Sequence, residues 1–181
     1  MRFLTLYFAA SCLLVLMGKA VAQQAEWPKA RPEDVASPTA VVKASYDAIS
    51  GPPGQPLNLD RFRSLFLPDA QLVSVRRDTG RAQARFMSVK EFCDMVISLT
   101  GREGHAEREV TERVNLYGDI ANVWSSFESR STPDDPHVTR GINGIQLMND
   151  GNRWWISGAQ WEHETPDTPL PPEYRSGGPA N

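Results

Sequence analysis

The stretch RGINGIQLMNDGNRWWISGAQWEHE, Arg140 to Glu164, constrains the fold more than any other part of the chain. Apolar and polar residues alternate on both sides of Asn149-Asp150-Gly151-Asn152, the pattern of two strands joined by a tight turn. Asp-Gly at the centre suits a type I′ two-residue loop, whose central residues both need positive φ. That loop predicts a register that pairs Leu147 with Trp154, Ile145 with Ile156 and Arg140 with Trp161. Directly opposed residues share a face. One face then carries Asn143, Ile145, Leu147, Trp154, Ile156, Gly158, Gln160 and Glu162. The other carries Arg140, Ile142, Gly144, Gln146, Met148, Trp155, Ser157, Ala159 and Trp161. Neither is a plain solvent face, so one side holds a core and the other a pocket or a partner. The pattern by itself does not choose between them.

The chain opens with a secretory signal layout. Arg2 is the positive start, Phe3 to Met17 the apolar run, and Ala20-Val21-Ala22 a small-x-small cleavage site. The apolar run is short for a retained membrane span. Cys12 lies inside it, not after it, which argues against a lipoprotein. Cleavage after Ala22 is expected, giving an extracytoplasmic protein, periplasmic or secreted, with no stable membrane anchor. It leaves 159 of the 181 residues and removes Arg2 and Lys19 but no acid. Nineteen basic residues against 22 acidic become 17 against 22, a net charge of −5. That balance argues against nucleic acid or an anionic membrane surface as a partner. Cys93 is then the single cysteine, so no intrachain disulfide can form. It sits in a helical pattern and reads as a small buried apolar residue.

Residues 23–36 form a polar lead, expected to be flexible, and 165–181 a Pro- and Gly-rich tail, expected to be disordered. The folded domain is placed at 37–164. Its first helix has Ser37 as N-cap and Pro38 at the first helical position. A short second helix runs over Leu59 to Leu67, stopped by Pro68, and a strand over Ala70 to Arg77. A third helix begins with the capping box Ser88-x-x-Glu91 and carries Phe92, Met95, Val96 and Leu99 on one face. Strands over His105 to Tyr117 and Asp119 to Arg130 lead into the hairpin.

This order resembles the nuclear transport factor 2-like superfamily, shared with ketosteroid isomerase and SnoaL-like polyketide cyclase-like proteins. The resemblance is carried by four pieces: Tyr46 on the first helix, Phe66-Leu-Pro-Asp-Ala70 leading into a strand, Gly118-Asp119-Ile120-Ala121 opening one, and the Asp-Gly-x-x-Trp-x-Ile hairpin from Asp150 to Ile156. It covers roughly Ser37 to Glu164 and implies an α+β, cystatin-like cone. Three N-terminal helices would pack on a strongly curved, mostly antiparallel sheet around a pocket. The pocket face implied is that of Arg140, Ile142, Gln146, Trp155, Ala159 and Trp161, joined by Val123, Ser125, Phe127 and Tyr46. The opposite face, with Ile145, Leu147, Trp154 and Ile156, would be convex and would form a homodimer.

The chemistry is less explicit. Relatives of the isomerase type use a carboxylate base, and the matching position falls near Ser74, which is no base. Tyr46 matches their helix-one tyrosine, and it and His105 are the candidate catalytic residues. His137 lies in a Pro- and Asp-rich loop and reads as solvent-facing. Glu162 and Glu164 flank His163 and would raise its pKa. Arg140 beside Trp161 would offer a fixed cation to a carboxylate or enolate. Were that hairpin face turned outward, Asn143, Gln160 and Glu162 would be the pocket's polar groups. There is no His-x-His, no helical Glu-x-x-His and no cysteine pair, so neither a metal nor a cofactor is expected. The reading is an exported domain that binds a small apolar or anionic ligand without catalysis. The alternative is a lyase or isomerase of the ketosteroid isomerase, dehydratase or cyclase type.

Overall fold

Ser37 begins the first helix as the sequence requires: its Oγ accepts from the Ala40 amide at 3.1 Å, and Pro38 opens α1, Pro38–Ile49. The structure, a computed structural model, describes residues 26–78, 80–100 and 104–175. The expected signal segment, 1–22, lies outside them. Helix α2 is Leu59–Ser64, shorter than expected, because the chain already runs as strand from Phe66. Helix α3, Val89–Thr100, starts on the capping box: Glu91 Oε2 accepts from the Ser88 amide at 2.7 Å, and Ser88 Oγ from the Glu91 amide at 3.2 Å.

Six strands follow in chain order: β1 Phe66–Asp78, β2 Arg81–Ser88, β3 Ala106–Tyr117, β4 Ile120–Arg130, β5 Thr139–Asn149 and β6 Trp154–His163. They form one sheet in the order β2-β1-β6-β5-β4-β3. All neighbours are antiparallel except β1 and β6, which run parallel. The molecule is thus α+β, with helices on one face of a mixed, mostly antiparallel sheet. Strand β2 is absent from the sequence reading. It is an edge strand in which Met87 alone is buried, so it carries no apolar alternation to betray it.

The hairpin register differs from the expected one. Asp150 Oδ1 accepts from the amides of Asn152 and Arg153 at 2.8 and 3.0 Å, and Asn149 Oδ1 from the Gly151 amide at 2.8 Å. These side-chain caps hold a four-residue loop, and the first pair across it is Asn149 with Trp154. Further on, Leu147 pairs with Ile156 but Gln146 with Gly158, so Ser157 is an extra residue, a β-bulge. The bulge reverses the parity of β6. Trp154 and Ile156 face the helices before it, and Ala159 and Trp161 after it. That is why both sequence faces look apolar. Trp161 is consequently opposite Asn143, not Arg140, whose neighbour on β4 is Glu128.

Ile145, Leu147, Trp154 and Ile156, expected on a dimer surface, are buried in the core with Val41, Val42 and Leu65. A dimer patch made of these four is therefore ruled out. All four share one face in the expected register and in the observed one, and that face is the one the helices cover. Gly141 is set against the ring of Phe127: a Cβ there would fall 2.6 Å from Phe127 Cζ and 2.5 Å from the Glu162 carbonyl oxygen.

The described parts of both flanking segments, 26–36 and 165–175, lie against the domain. In the lead, Trp27 Nε1 donates to the Phe66 carbonyl at 3.0 Å, and buried Asp34 takes a two-point ion pair from Arg61. In the tail, Leu170 is only 6% exposed, and Tyr174 packs on Trp124 and under Arg113. This segment crosses the sheet face away from the helices, beside Val75 and Ile142. Prolines cannot donate to a ladder, but they can lie against an apolar sheet face, which composition alone does not reveal.

Candidate functional site

The side chains that the bulged sheet turns towards the helices enclose a cavity of about 410 Å³. Its apolar part is a run of aromatic rings. Phe62 packs on Phe66 with centroids 4.7 Å apart and stacks on Phe92 at 5.1 Å, and Phe92 meets Trp161 edge-on at 5.7 Å. Leu72, Ile145, Ile156 and Ala159 complete this part of the wall. Helix α3 positions Phe92 because its apolar face, at i, i+3 and i+4, points into the cone.

Beside the rings lies a hydrogen-bonded chain. Asn143 Nδ2 donates to the Tyr46 hydroxyl at 2.8 Å, Tyr46 lies 2.7 Å from Ser125 Oγ, and Ser125 Oγ donates to Glu109 Oε1. Ser125 has one proton, given to Glu109, so Tyr46 is the donor to Ser125. Burial pushes the Tyr46 ionisation far up, and burial likewise raises Glu109. The tyrosine therefore stays protonated with its proton committed inside the chain. It positions Asn143, which lines the cavity, and has no second proton to give a ligand.

The mouth is polar. His105, Glu107, His137 and His163, separated by up to 58 positions, all border the cavity. His105 is pinned by a two-way backbone bridge to Gly51, and its Nε2 lies 3.3 Å from Glu107 Oε2. His163 packs edge-on against Phe127 at 5.6 Å. Its pKa is lowered, through burial, the reverse of the expected rise. The flanking acids point elsewhere: Glu162 pairs with Arg77, and Glu164 accepts from the Leu170 amide. His137 is 95% exposed at its side chain and rests against Asp135, as a solvent-facing loop residue should.

The expected pocket residues divide cleanly. Tyr46, Phe127, Ala159 and Trp161 line the cavity, and Val123 and Ser125 are fully buried on the same face of β4. Arg140, Ile142, Gln146 and Trp155 lie on the opposite face, because they alternate along their strands with Ile145, Leu147, Trp154 and Ile156, which face the helices. Arg140 Nε instead donates to Glu128 Oε1 at 3.0 Å, and Arg108 Nη2 to Glu128 Oε2 at 2.6 Å. Burial raises the Glu128 pKa, but these two arginines outweigh it and the net shift is downward. Trp155 Nε1 donates to Asp150, and its ring carries the Arg153 guanidinium at 3.5 Å. Of the alternative polar set, Asn143 faces the cavity, whereas Gln160 and Glu162 do not.

Sequence reasoning missed Arg76, Arg85, Asn143 in its hydrogen-bonded role, and Glu107. Glu107 follows His105 by two, the strand spacing that puts both on one face, and that signal was available. Burial pushes the Cys93 thiol up to about 11, so it remains a protonated core group. Among the described residues no three His, Cys, Asp or Glu side chains come close enough to hold a metal ion, and no helix is long and apolar enough to cross a membrane.

No protein-family model and no curated protein sequence matches this chain. Solved structures do. An NTF2-like protein from Silicibacter pomeroyi DSS-3 superposes with a TM-score of 0.50 at 18% identity, over 71% of this chain and 94% of that one. A protein with a cystatin-like fold from Nostoc punctiforme PCC 73102 gives 0.52 at 11% identity, over 75% of this chain and 98% of that one. The chain has the nuclear transport factor 2-like, cystatin-like fold. At such identities the likeness concerns the fold, which hosts many unrelated functions.

Proposed function

We propose that this is an exported protein that binds a small apolar molecule inside its cone and does not transform it. The observation that carries the proposal is the cavity of about 410 Å³, aromatic within and polar at its mouth. That size and lining suit a small organic ligand held by apolar contact and oriented by a few polar groups. The non-catalytic reading is supported by Ser74 at the position where isomerase relatives carry their base, and by the committed proton of Tyr46. The neutral fluorophore N-phenyl-naphthylamine is expected to bind saturably, with one equivalent per chain. Ala159→Trp, which fills the cavity, should abolish that binding while the variant still unfolds cooperatively. Absence of saturable binding, or equal binding by the folded variant, would overturn the reading.

Export is supported by the layout of residues 1–22. Mass spectrometry of the protein recovered from producing cells should find the N-terminus at Gln23. An intact Met1 there would contradict it.

A second reading, a lyase or isomerase, is favoured by one observation, the His105–Glu107 pair at the cavity mouth. A carboxylate beside an imidazole is an arrangement for moving protons. Turnover of a carbonyl or hydroxyl compound by the wild type, lost in His105→Gln with ligand affinity retained, would establish it over the first.

A further inference from the structure

We propose that the ligand is a carboxylic acid whose charged group is held by Arg76 and Arg85 on the β1–β2 wall of the cavity. The inference rests on the cavity being a binding site and names the class of molecule that it takes. The β1–β2 register sets Arg85 opposite Ser74 and Arg76 opposite Gln83. The two arginines are therefore diagonal neighbours on one face, within reach of a single anion. That face is the concave one, shared with buried Leu72 and Ser74, and both arginines border the cavity. Ser74 in turn lies beside Trp161, and Trp161 beside Asn143, so the arginines stand next to the aromatic wall.

Six arginines elsewhere in the molecule have carboxylate partners, and these two, at the cavity wall, have none among the described residues. Arg61 is paired with Asp34, Arg63 with Asp60, Arg77 with Glu162, and Arg108, Arg130 and Arg140 with Glu128. Arg77 is adjacent to Arg76 in sequence, yet it points to the outer face and finds a carboxylate there. Among the described residues, neither Arg76 nor Arg85 has a carboxylate within salt-bridge distance. The polar contact of Arg85 is the Met95 sulfur, 3.8 Å from Nη1. The two acids that border the cavity are engaged elsewhere, Glu107 with His105 and Asp135 with His137. One wall thus presents two guanidinium groups with no salt-bridged carboxylate among the described residues, next to a tryptophan. A guanidinium fork matches a carboxylate in two-point geometry, and the rings of Trp161 and Phe92 suit the flat apolar body behind it. A neutral ligand would fill the same aromatic space and leave the arginines to water.

The test uses the mature protein carrying N-phenyl-naphthylamine, displaced by two molecules of one shape, naphthoic acid and naphthylmethanol. The wild type should prefer the acid by about tenfold or more. Arg76→Gln combined with Arg85→Gln should weaken the acid about ten- to a hundredfold and leave the alcohol unchanged. The double lysine variant, which keeps both charges, should retain part of the preference. Equal affinity for acid and alcohol in the wild type would overturn the proposal, as would a preference that survives in the double glutamine variant. Either result would leave the apolar cavity standing, since the fluorophore would still bind. Failure of the fluorophore itself would remove the binding site and the acid subsite together.

Discussion

Phe66→Ala is expected to lower the stability by about 3 kcal/mol, at the low end of the 3–5 kcal/mol typical of buried aromatic truncations. Phe66 is 2% exposed and stands where three parts of the molecule meet. Its ring packs on Phe62, its carbonyl accepts from Trp27, and its backbone pairs with Ile156 where β1 joins β6. The low end applies because the ring also borders the cavity, so part of the space it vacates opens to water and is not left as a sealed void. Urea denaturation should show the midpoint fall with the slope unchanged. Phe86→Ala, on the outer edge strand where the ring is 65% exposed, should stay within about 0.5 kcal/mol of the wild type. Equal effects at the two sites would mean that Phe66 is not part of the core.

Arg61→Met is expected to cost about 3 kcal/mol near neutral pH, because it strands a buried carboxylate. Asp34 is 5% exposed and takes bonds of 2.8 and 2.7 Å from Arg61 Nε and Nη2. Those bonds hold the Asp34 pKa below its ordinary 3.8, against the upward pull of burial. In the wild type, the stabilisation from this depressed pKa is fully present above the unfolded value and is lost as the pH falls through the lower folded value. In the variant the burial stays and the bonds are gone, so the Asp34 pKa should move up. The charged carboxylate then destabilises the variant at neutral pH, and protonation relieves it. The gap between variant and wild type should therefore narrow as the pH falls through the carboxylate range, as read by thermal melts. A gap independent of pH would mean that the loss is packing of the arginine stem. Lys43→Met, which removes an exposed pair with Asp47, is the comparison and should change stability by less than about 1 kcal/mol.

What could be read from the chain was whatever its own neighbours decide. Ser37 with Pro38, and Ser88 with Glu91, start helices through bonds spanning three residues, and both caps form as read. The apolar spacing of α3 places Phe92 in the cone. The inward side of Tyr46, Val123, Ser125 and Phe127 was implied by the resemblance, and it holds because the period runs unbroken along α1 and β4. The order of these elements was enough for the α+β, cystatin-like fold.

Tertiary structure decided the rest. Asp150 and Asn149 spend their side chains on the turn amides and lengthen the loop, and Ser157 bulges against Gln146. A one-residue shift moves every later side chain of β6 to the other face, so Ala159 and Trp161 join Ile145 on the cavity side while Arg140, on β5, stays on the outer one. Strand β2 shows no alternation because only one of its side chains is covered, and with it Arg76 and Arg85 went unread as a pair. The lead and the tail look disordered by composition because their anchors are single residues, Trp27, Asp34, Leu170 and Tyr174. Their partners lie from 27 to 50 positions away, at Phe66, Arg61 and Trp124, or across the sheet at Ile142. The three histidines converge for the same reason: only the curvature and pairing of strands far apart in sequence can bring positions 105, 137 and 163 to one cavity mouth.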